Sequence, residues 1–243
     1  MKICIDPGHN YSGVDTGAVG TVEKEQNITF GVSDRLANIL IEAGQDVLMT
    51  RQRLESNVSG SSVNDSLKNR AEMSNRFGAD VFVSIHCNAG RGEGVETYIL
   101  ARGGEAEQIA NRIQQQLAGL GRVDRGVKVA NLAVLRLTKA PAVLVEIGFI
   151  DNPTEEQWII AHEEDIARAI AAGLGFSSTS AWEGGGEMIY NYIDDNMPAW
   201  ARPTIQKLVN KGYLRGNDKG ELGLTFDMLR MFVVNDRAGL YGD

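Results

Sequence analysis

Four short segments of this chain place a metal-capable or acidic side chain where a strand would end: Ile5-Asp6-Pro7-Gly8-His9, Glu23-Lys24-Glu25-Gln26-Asn27, Ser84-Ile85-His86-Cys87-Asn88 and Val145-Glu146-Ile147-Gly148-Phe149. The chain has 3 histidines, and two of them lie in these segments. Two imidazoles and a carboxylate make a three-ligand zinc shell with an open fourth position, beside which a second carboxylate can act as base. The pattern points to a metal-dependent hydrolase.

Each residue has a local reason to be considered. Pro7 and Gly8 force a sharp exit from the first apolar run and present His9 at a sheet edge. His86 ends Val81-Phe82-Val83-Ser84-Ile85, and period-two alternation puts it on the face of Ser84 and Phe82, with Cys87 turned the other way. Glu146 closes the apolar run Pro141–Val145, where a carboxylate is costly unless paired, metal-linked or catalytic. Partial burial raises a carboxyl pKa towards the range useful to a general base, the role expected of Glu146. The third ligand comes from the loop after His9, where Glu23 and Glu25 compete and spacing does not separate them.

The elements that must position these residues alternate in type. Lys2–Ile5, Asp46–Thr50, Val81–His86, Val95–Leu100, Leu132–Leu137 and Ala142–Ile147 are short Val/Ile/Leu-rich runs, mostly apolar throughout as in strands covered on both faces. Between them, Phe30–Ala43, Ser66–Phe77, Glu105–Leu117 and Glu155–Leu174 carry helical spacing, the last opened by Asn152-Pro153-Thr154. The expected fold is α/β: a twisted, mainly parallel six-stranded sheet with helices on both faces, followed by a small C-terminal α-helical domain. Residues 1–176 form the catalytic domain and 187–243 the small one. Between them, residues 177–186 are a Ser- and Gly-rich linker.

Composition narrows the partners. Net charge is −8, which disfavours nucleic acid, and no apolar stretch approaches a membrane span. Cys4 and Cys87 sit in apolar runs and are expected to be buried free thiols. The start of the chain runs directly into a strand and lacks a signal peptide's apolar core, which implies cytoplasmic synthesis and holin-type release or another export route.

Ordered motifs then carry a resemblance. Asp6-Pro7-Gly8-His9, Glu23-Lys24-x-x-Asn27, Thr50-Arg51, Leu67-x-x-Arg70, Ser84-Ile85-His86-x-Asn88-Ala89, Gly94-x-Glu96-Thr97-Tyr98 and Pro141–Glu146-x-Gly148-Phe149-Ile150 occur in sequence. Over residues 2–174 the chain resembles a zinc-dependent N-acetylmuramoyl-L-alanine amidase of the amidase-3 family. The resemblance implies Zn2+ as cofactor, His9, Glu23 and His86 as its ligands and Glu146 as the catalytic residue. It selects Glu23 over Glu25 through the Glu-Lys-x-x-Asn pattern. It also implies peptidoglycan as substrate, cleavage of the bond between N-acetylmuramic acid and L-alanine, and a place of action at the bacterial cell wall, as in a phage endolysin or an autolysin.

Cys87 stands where that family usually has Ala, which suggests an oxidation-sensitive site. A non-catalytic peptidoglycan-binding protein and a zinc peptidase acting within the stem peptide are the rival readings. The small domain is expected either to bind the wall, with Trp182, Trp200, Tyr190, Tyr192 and Tyr213 as stacking surfaces or as its own core, or to form a dimer.

Overall fold

The computed structural model describes residues 1–176, 189–194, 196–197, 201–237 and 241–242. The chain divides into two compact units, Met1–Thr179 and Ser180–Asp243. The expected linker, with Trp182, and also Trp200 lie outside the described residues.

In the first unit the elements are β1 (Lys2–Pro7), α1 (Glu25–Glu42), β2 (Asp46–Met49), α2 (Val63–Phe77), β3 (Val81–Asn88), β4 (Val95–Ile99), α3 (Glu105–Ala118), β5 (Asp124–Val129), α4 (Ala133–Leu137), β6 (Ala142–Phe149), α5 (Pro153–Ala161) and α6 (Glu163–Gly173). The six strands form one sheet in the order β2-β1-β3-β6-β4-β5. All pairings are parallel except β4 with β6. The expected mixed α/β sheet is therefore present.

Period-two alternation divides the core. Ile3, Ile5, Val83, Ile85, Val143 and Val145 face Ile28, Val32 and Leu36 of α1, Ile109 and Ile113 of α3, and Ile166 and Ile170 of α6. Cys4, Phe82 and Leu144 face the other way, into a smaller cluster with Val134 and Leu135 of α4. Each of these fully buried aliphatic side chains contributes roughly 1.5–3 kcal/mol relative to exposure.

Two expectations fail for identifiable reasons. Leu132–Leu137 is not a strand. All of it after Leu132 is α4, in which the consecutive residues Val134 and Leu135 are both buried and Leu137 is exposed, so the alternation a strand needs is lost. The sixth strand is instead Asp124–Val129, whose polar sequence and half-buried pattern suit an edge strand with one neighbour. The predicted helix 155–174 is broken at His162, which takes φ −123° and stacks on Trp158 at 4.5 Å. The His162 Nδ1–H donates to the Trp158 carbonyl at 2.8 Å, so this third histidine is structural.

The second unit contains β7 (Ile189–Tyr190) paired antiparallel with β8 (Leu224–Thr225), and two helices, α7 (Arg202–Asn210) and α8 (Phe226–Arg237). It is thus α-helical with a two-stranded ladder, which the helical spacing alone did not predict. Its core gathers Tyr190, Met197, Ile205, Leu208, Leu224, Leu229 and Val233. Tyr190 is core, whereas Tyr192 and Tyr213 are exposed. Among the described residues no helix is long and apolar enough to cross a membrane.

Candidate metal centre and active site

The first strand ends in a tight turn at Gly8 and His9. The Gly8 N–H donates to the Ile85 carbonyl at 2.9 Å, tying the exit of β1 to β3. A Cβ on Gly8 would sit 2.6 Å from both the His86 ring and the Ile85 carbonyl oxygen, so a side chain there would displace the site. His9 follows at φ 62°, a left-handed conformation that a non-glycine residue adopts only when its surroundings hold it there.

Those surroundings are polar and buried. Asp6, fully buried, accepts from Thr50 Oγ1, Arg70 Nη1 and Ser84 Oγ. Arg70 also donates to the Pro7 carbonyl and to Asn10 Oδ1. Arg51 donates to the carbonyls of Gln26 and Gly8, linking the start of α1 to the end of β1. The two arginines hold the loops that carry the site.

Glu25 is the residue around which the site closes. Its Oε1 lies 3.2 Å from His9 Nε2 and 3.2 Å from His86 Nδ1, and accepts the Cys87 N–H at 3.0 Å. Its Oε2 accepts the Ala18 N–H at 2.9 Å. On the far side of the His9 ring, Nδ1 meets Asp15 Oδ1 at 3.2 Å, and Asp15 is fixed in turn by Ser66. One ligand atom each from His9, Glu25 and His86 lies within 4.8 Å of the others. An ion about 2.0–2.1 Å from tetrahedral nitrogen and oxygen donors separates those donors by about 3.3 Å, so the two 3.2 Å spacings fit a zinc-sized ion. The carboxylate behind His9 is the usual outer partner of a metal-bound imidazole.

The structure thus brings His9 and His86 together but not Glu23. Glu23 Oε2 turns back to accept from Asn27 Nδ2 at 2.7 Å and from the Lys24 N–H. Among the described residues it is Glu25, and not the expected Glu23, that the structure groups with His9 and His86 in an arrangement that could hold a metal ion. The reason is helical phase: α1 begins at Glu25, and positions three, seven and eleven residues on are Ile28, Val32 and Leu36, its sheet-facing stripe. Glu23 precedes the helix and does not share that stripe. The periodicity that marked α1 in the sequence contained this information once its start was known.

Glu146 stands beside His86, its register partner across the parallel β3–β6 pair. Its Oε2 is sealed from solvent and has no hydrogen-bond partner among the described residues. Burial pushes the Glu146 carboxyl up to about 7, with Glu25 and Glu96 adding to the rise and His86 and His9 opposing it. Burial works against a charged His9, yet its hydrogen bonds to Asp15 and Glu25 outweigh that and push the imidazole up to about 9. Burial likewise opposes ionisation of Glu25, but the two histidines hold its carboxyl well below the usual range.

Three acidic residues escaped the sequence reading. Glu156 is fully buried and accepts the N–H groups of Thr21, Val22 and Glu23, each at 2.8 Å, fixing the loop that delivers Glu25. Glu155 accepts the N–H groups of Gly94 and Phe149 and pairs with Arg122, and Asp151 accepts those of Gly90 and Arg91. Glu155 and Glu156 lie in the first turn of α5, and in the structure they clamp loops around the site.

Cys4 and Cys87 are both free and buried, as expected. Burial, reinforced by nearby carboxylates, raises the Cys87 thiol well above its ordinary value, which works against the thiolate that oxidation needs.

Comparison with known proteins places the first unit in a family. The family model described as N-acetylmuramoyl-L-alanine amidase matches residues 3–175. The chain is 39% identical over 178 residues to the N-acetylmuramoyl-L-alanine amidase CwlM of Bacillus licheniformis, covering 72% of this chain and 67% of that one. It is 33% identical over 183 residues to the endolysin of Bacillus phage SPP1, covering 71% of this chain and 64% of the endolysin. The crystal structure of the N-acetylmuramoyl-L-alanine amidase from Clostridium difficile 630 superposes with a TM-score of 0.64 at 31% identity, over 71% of this chain and 94% of that one.

Proposed function

The chain belongs to the N-acetylmuramoyl-L-alanine amidase family, and on that premise we propose that it hydrolyses the amide bond between N-acetylmuramic acid and L-alanine in peptidoglycan, at the bacterial cell wall. The observation that carries the reading is the Glu25 carboxylate set between two imidazoles, with the unpartnered Glu146 Oε2 one strand away. His9, Glu25 and His86 would hold Zn2+, and their donor types and spacing fit it. When bound, zinc supplies Lewis-acid activation of water and of the amide carbonyl.

The chain's own residues divide the remaining work. Asp15 keeps the His9 Nδ1 proton, which leaves Nε2 free to serve as a donor towards the centre. The Ala18 and Cys87 N–H groups hold the two Glu25 oxygens in place. Glu146 takes the proton of the attacking water on its carboxylate and returns it to the departing alanine nitrogen. A carboxyl raised to about 7 is suited to both directions of that transfer near neutral pH.

Replacement Glu146→Gln tests the assignment. The variant is expected to keep its metal and lose at least a hundredfold in turnover. Mass spectrometry of digested peptidoglycan should reveal new N-terminal alanine with the unaltered enzyme; cleavage between stem residues would instead make it a peptidase. The C-terminal unit is read as the wall-binding module, supported by its exposed Tyr192 and Tyr213 rings and by a cavity of about 230 Å³ lined by Asn191, Tyr192, Asp194 and Asn196. Pull-down of the full chain and of a Tyr192→Ala, Tyr213→Ala variant with purified cell walls tests that reading.

A further inference from the structure

The sheet face that carries His86 and Glu146 continues onto β4 and β5. Glu96 stands directly across from Glu146 in the antiparallel register, and directly opposed residues share a face. Tyr98, two residues on, stays on that face, and Lys128 is its partner across β4–β5. The register slips between Val95 and Thr97, and Arg125 comes from the stretch of β5 within that slip. Reading across the strands, the row is His86, Glu146, Glu96, and then a pair of cations.

Glu96 is almost fully buried and satisfied on both oxygens. Its Oε1 accepts from Asn88 Nδ2 and the Tyr98 hydroxyl, each at 2.7 Å. Its Oε2 accepts from Arg125 Nε at 2.6 Å and from Lys128 Nζ. One carboxylate is thus shared by two cations, leaving one positive charge in excess. The side chains of Arg125 and Lys128 remain 35% and 37% exposed, and the Arg125 guanidinium rests over the Phe149 ring. On the opposite side of the centre, Arg51 and Arg70 are buried and committed to backbone carbonyls, Asp6 and Asn10.

Direction along this row follows from the proton transfer. Glu146 has to meet the departing amine, so the peptide leaves the centre on the Glu146 side, towards β4 and β5. Adjacent strands are about 4.8 Å apart, which puts the cations roughly 5–10 Å beyond Glu146. A group on the second residue of the peptide lies about 7 Å from the scissile bond.

We propose that Arg125 and Lys128, braced on Glu96, bind a carboxylate on the second residue of the peptide that leaves. The proposal rests on the amidase reading above and deepens it. Arg125 offers a planar fork and Lys128 a mobile point charge, a pair suited to holding a carboxylate at a partly exposed surface.

The test uses two muramyl tripeptides in which the third residue is joined through the side-chain carboxyl of the second, and which differ only in whether the α-carboxyl of that second residue is free or amidated. The readout is the ratio of kcat/KM for the free acid to that for the amide. The unaltered enzyme is expected to prefer the free acid by about tenfold. Lys128→Met should bring the ratio below about twofold through KM, and Lys128→Arg should restore most of the preference, as a charge contact requires. An unaltered enzyme with a ratio near one overturns the proposal, as does a Lys128→Met variant that weakens both substrates equally. Cleavage of neither tripeptide by the unaltered enzyme overturns the proposal together with the amidase reading.

Discussion

Exchanging the two rival carboxylates of the α1 loop, one at a time, tests the centre most directly. In Glu25→Gln, one carboxylate oxygen becomes an amide NH2. Glu25 accepts the Ala18 N–H on one oxygen and the Cys87 N–H, with both histidines, on the other, so the NH2 must face another donor whichever way it turns. A buried donor left unsatisfied costs about 1–3 kcal/mol, and the loss of the anionic ligand adds to this. Together they should weaken zinc binding at least a hundredfold, or about 2.7 kcal/mol. Glu23→Gln, by contrast, alters only contacts to Asn27 and Lys24 at a half-buried position, and should change zinc affinity less than about threefold. Zinc titration of chelator-stripped protein against a competing indicator measures both. A Glu23→Gln variant that loses zinc while Glu25→Gln keeps it would refute the assignment and restore the motif-based choice.

Four further outcomes follow from the same geometry. In the metal-free protein the His9 pairing raises its pKa from 6.5 to about 9, so its stabilisation is complete below about 6.5 and is lost as pH rises through 9; with a ceiling of about 3 kcal/mol, Tm should fall across that window, and a flat profile would argue against the pairing. Zinc needs the same imidazole unprotonated, so apparent affinity should rise about tenfold per pH unit below 9, a slope that titrations at several pH values would check. Glu156→Gln breaks the clamp on residues 21–23 and should lower zinc affinity about ten- to a hundredfold, measurable beside an unchanged affinity in the neighbouring surface variant Glu164→Gln. Neither cysteine should react with iodoacetamide until the protein unfolds, and rapid labelling of Cys87 in the native state would contradict its burial.

How much of this was legible in the sequence depends on the range of the interaction involved. The runs Val81–Ile85 and Pro141–Val145 identified two central strands because residues buried on both faces are apolar throughout. The edge strand Asp124–Val129 went unseen because an edge needs little apolar surface, whereas Leu132–Leu137 looked like a strand and became a helix by packing two adjacent residues against Phe82 and Leu144. Glu155 and Glu156 sit in the first turn of a helix, where acidic residues are favoured for purely local reasons. Nothing in the local pattern indicated that they reach loops from residues 21–23 and 94.

The sequence by itself determined the alternating architecture, the position of His9 just past the first strand and the sheet face shared by His86 and Glu146, although β3 and β6 run on to Asn88 and Phe149, since strand periodicity and the Pro7-Gly8 turn are set by covalent geometry within a few residues. Tertiary structure alone decided which glutamate meets the two histidines. That choice turns on where α1 begins and how it crosses the ends of β1 and β3. It is fixed by Ile28, Val32 and Leu36 docking on the sheet, by Arg51 bridging Gly8 to Gln26, and by Glu156 holding the loop from the far end of the chain. A motif records neighbours along the chain, whereas the grouping of Glu25 with the two histidines is one of neighbours in space, and here the two differ by two residues.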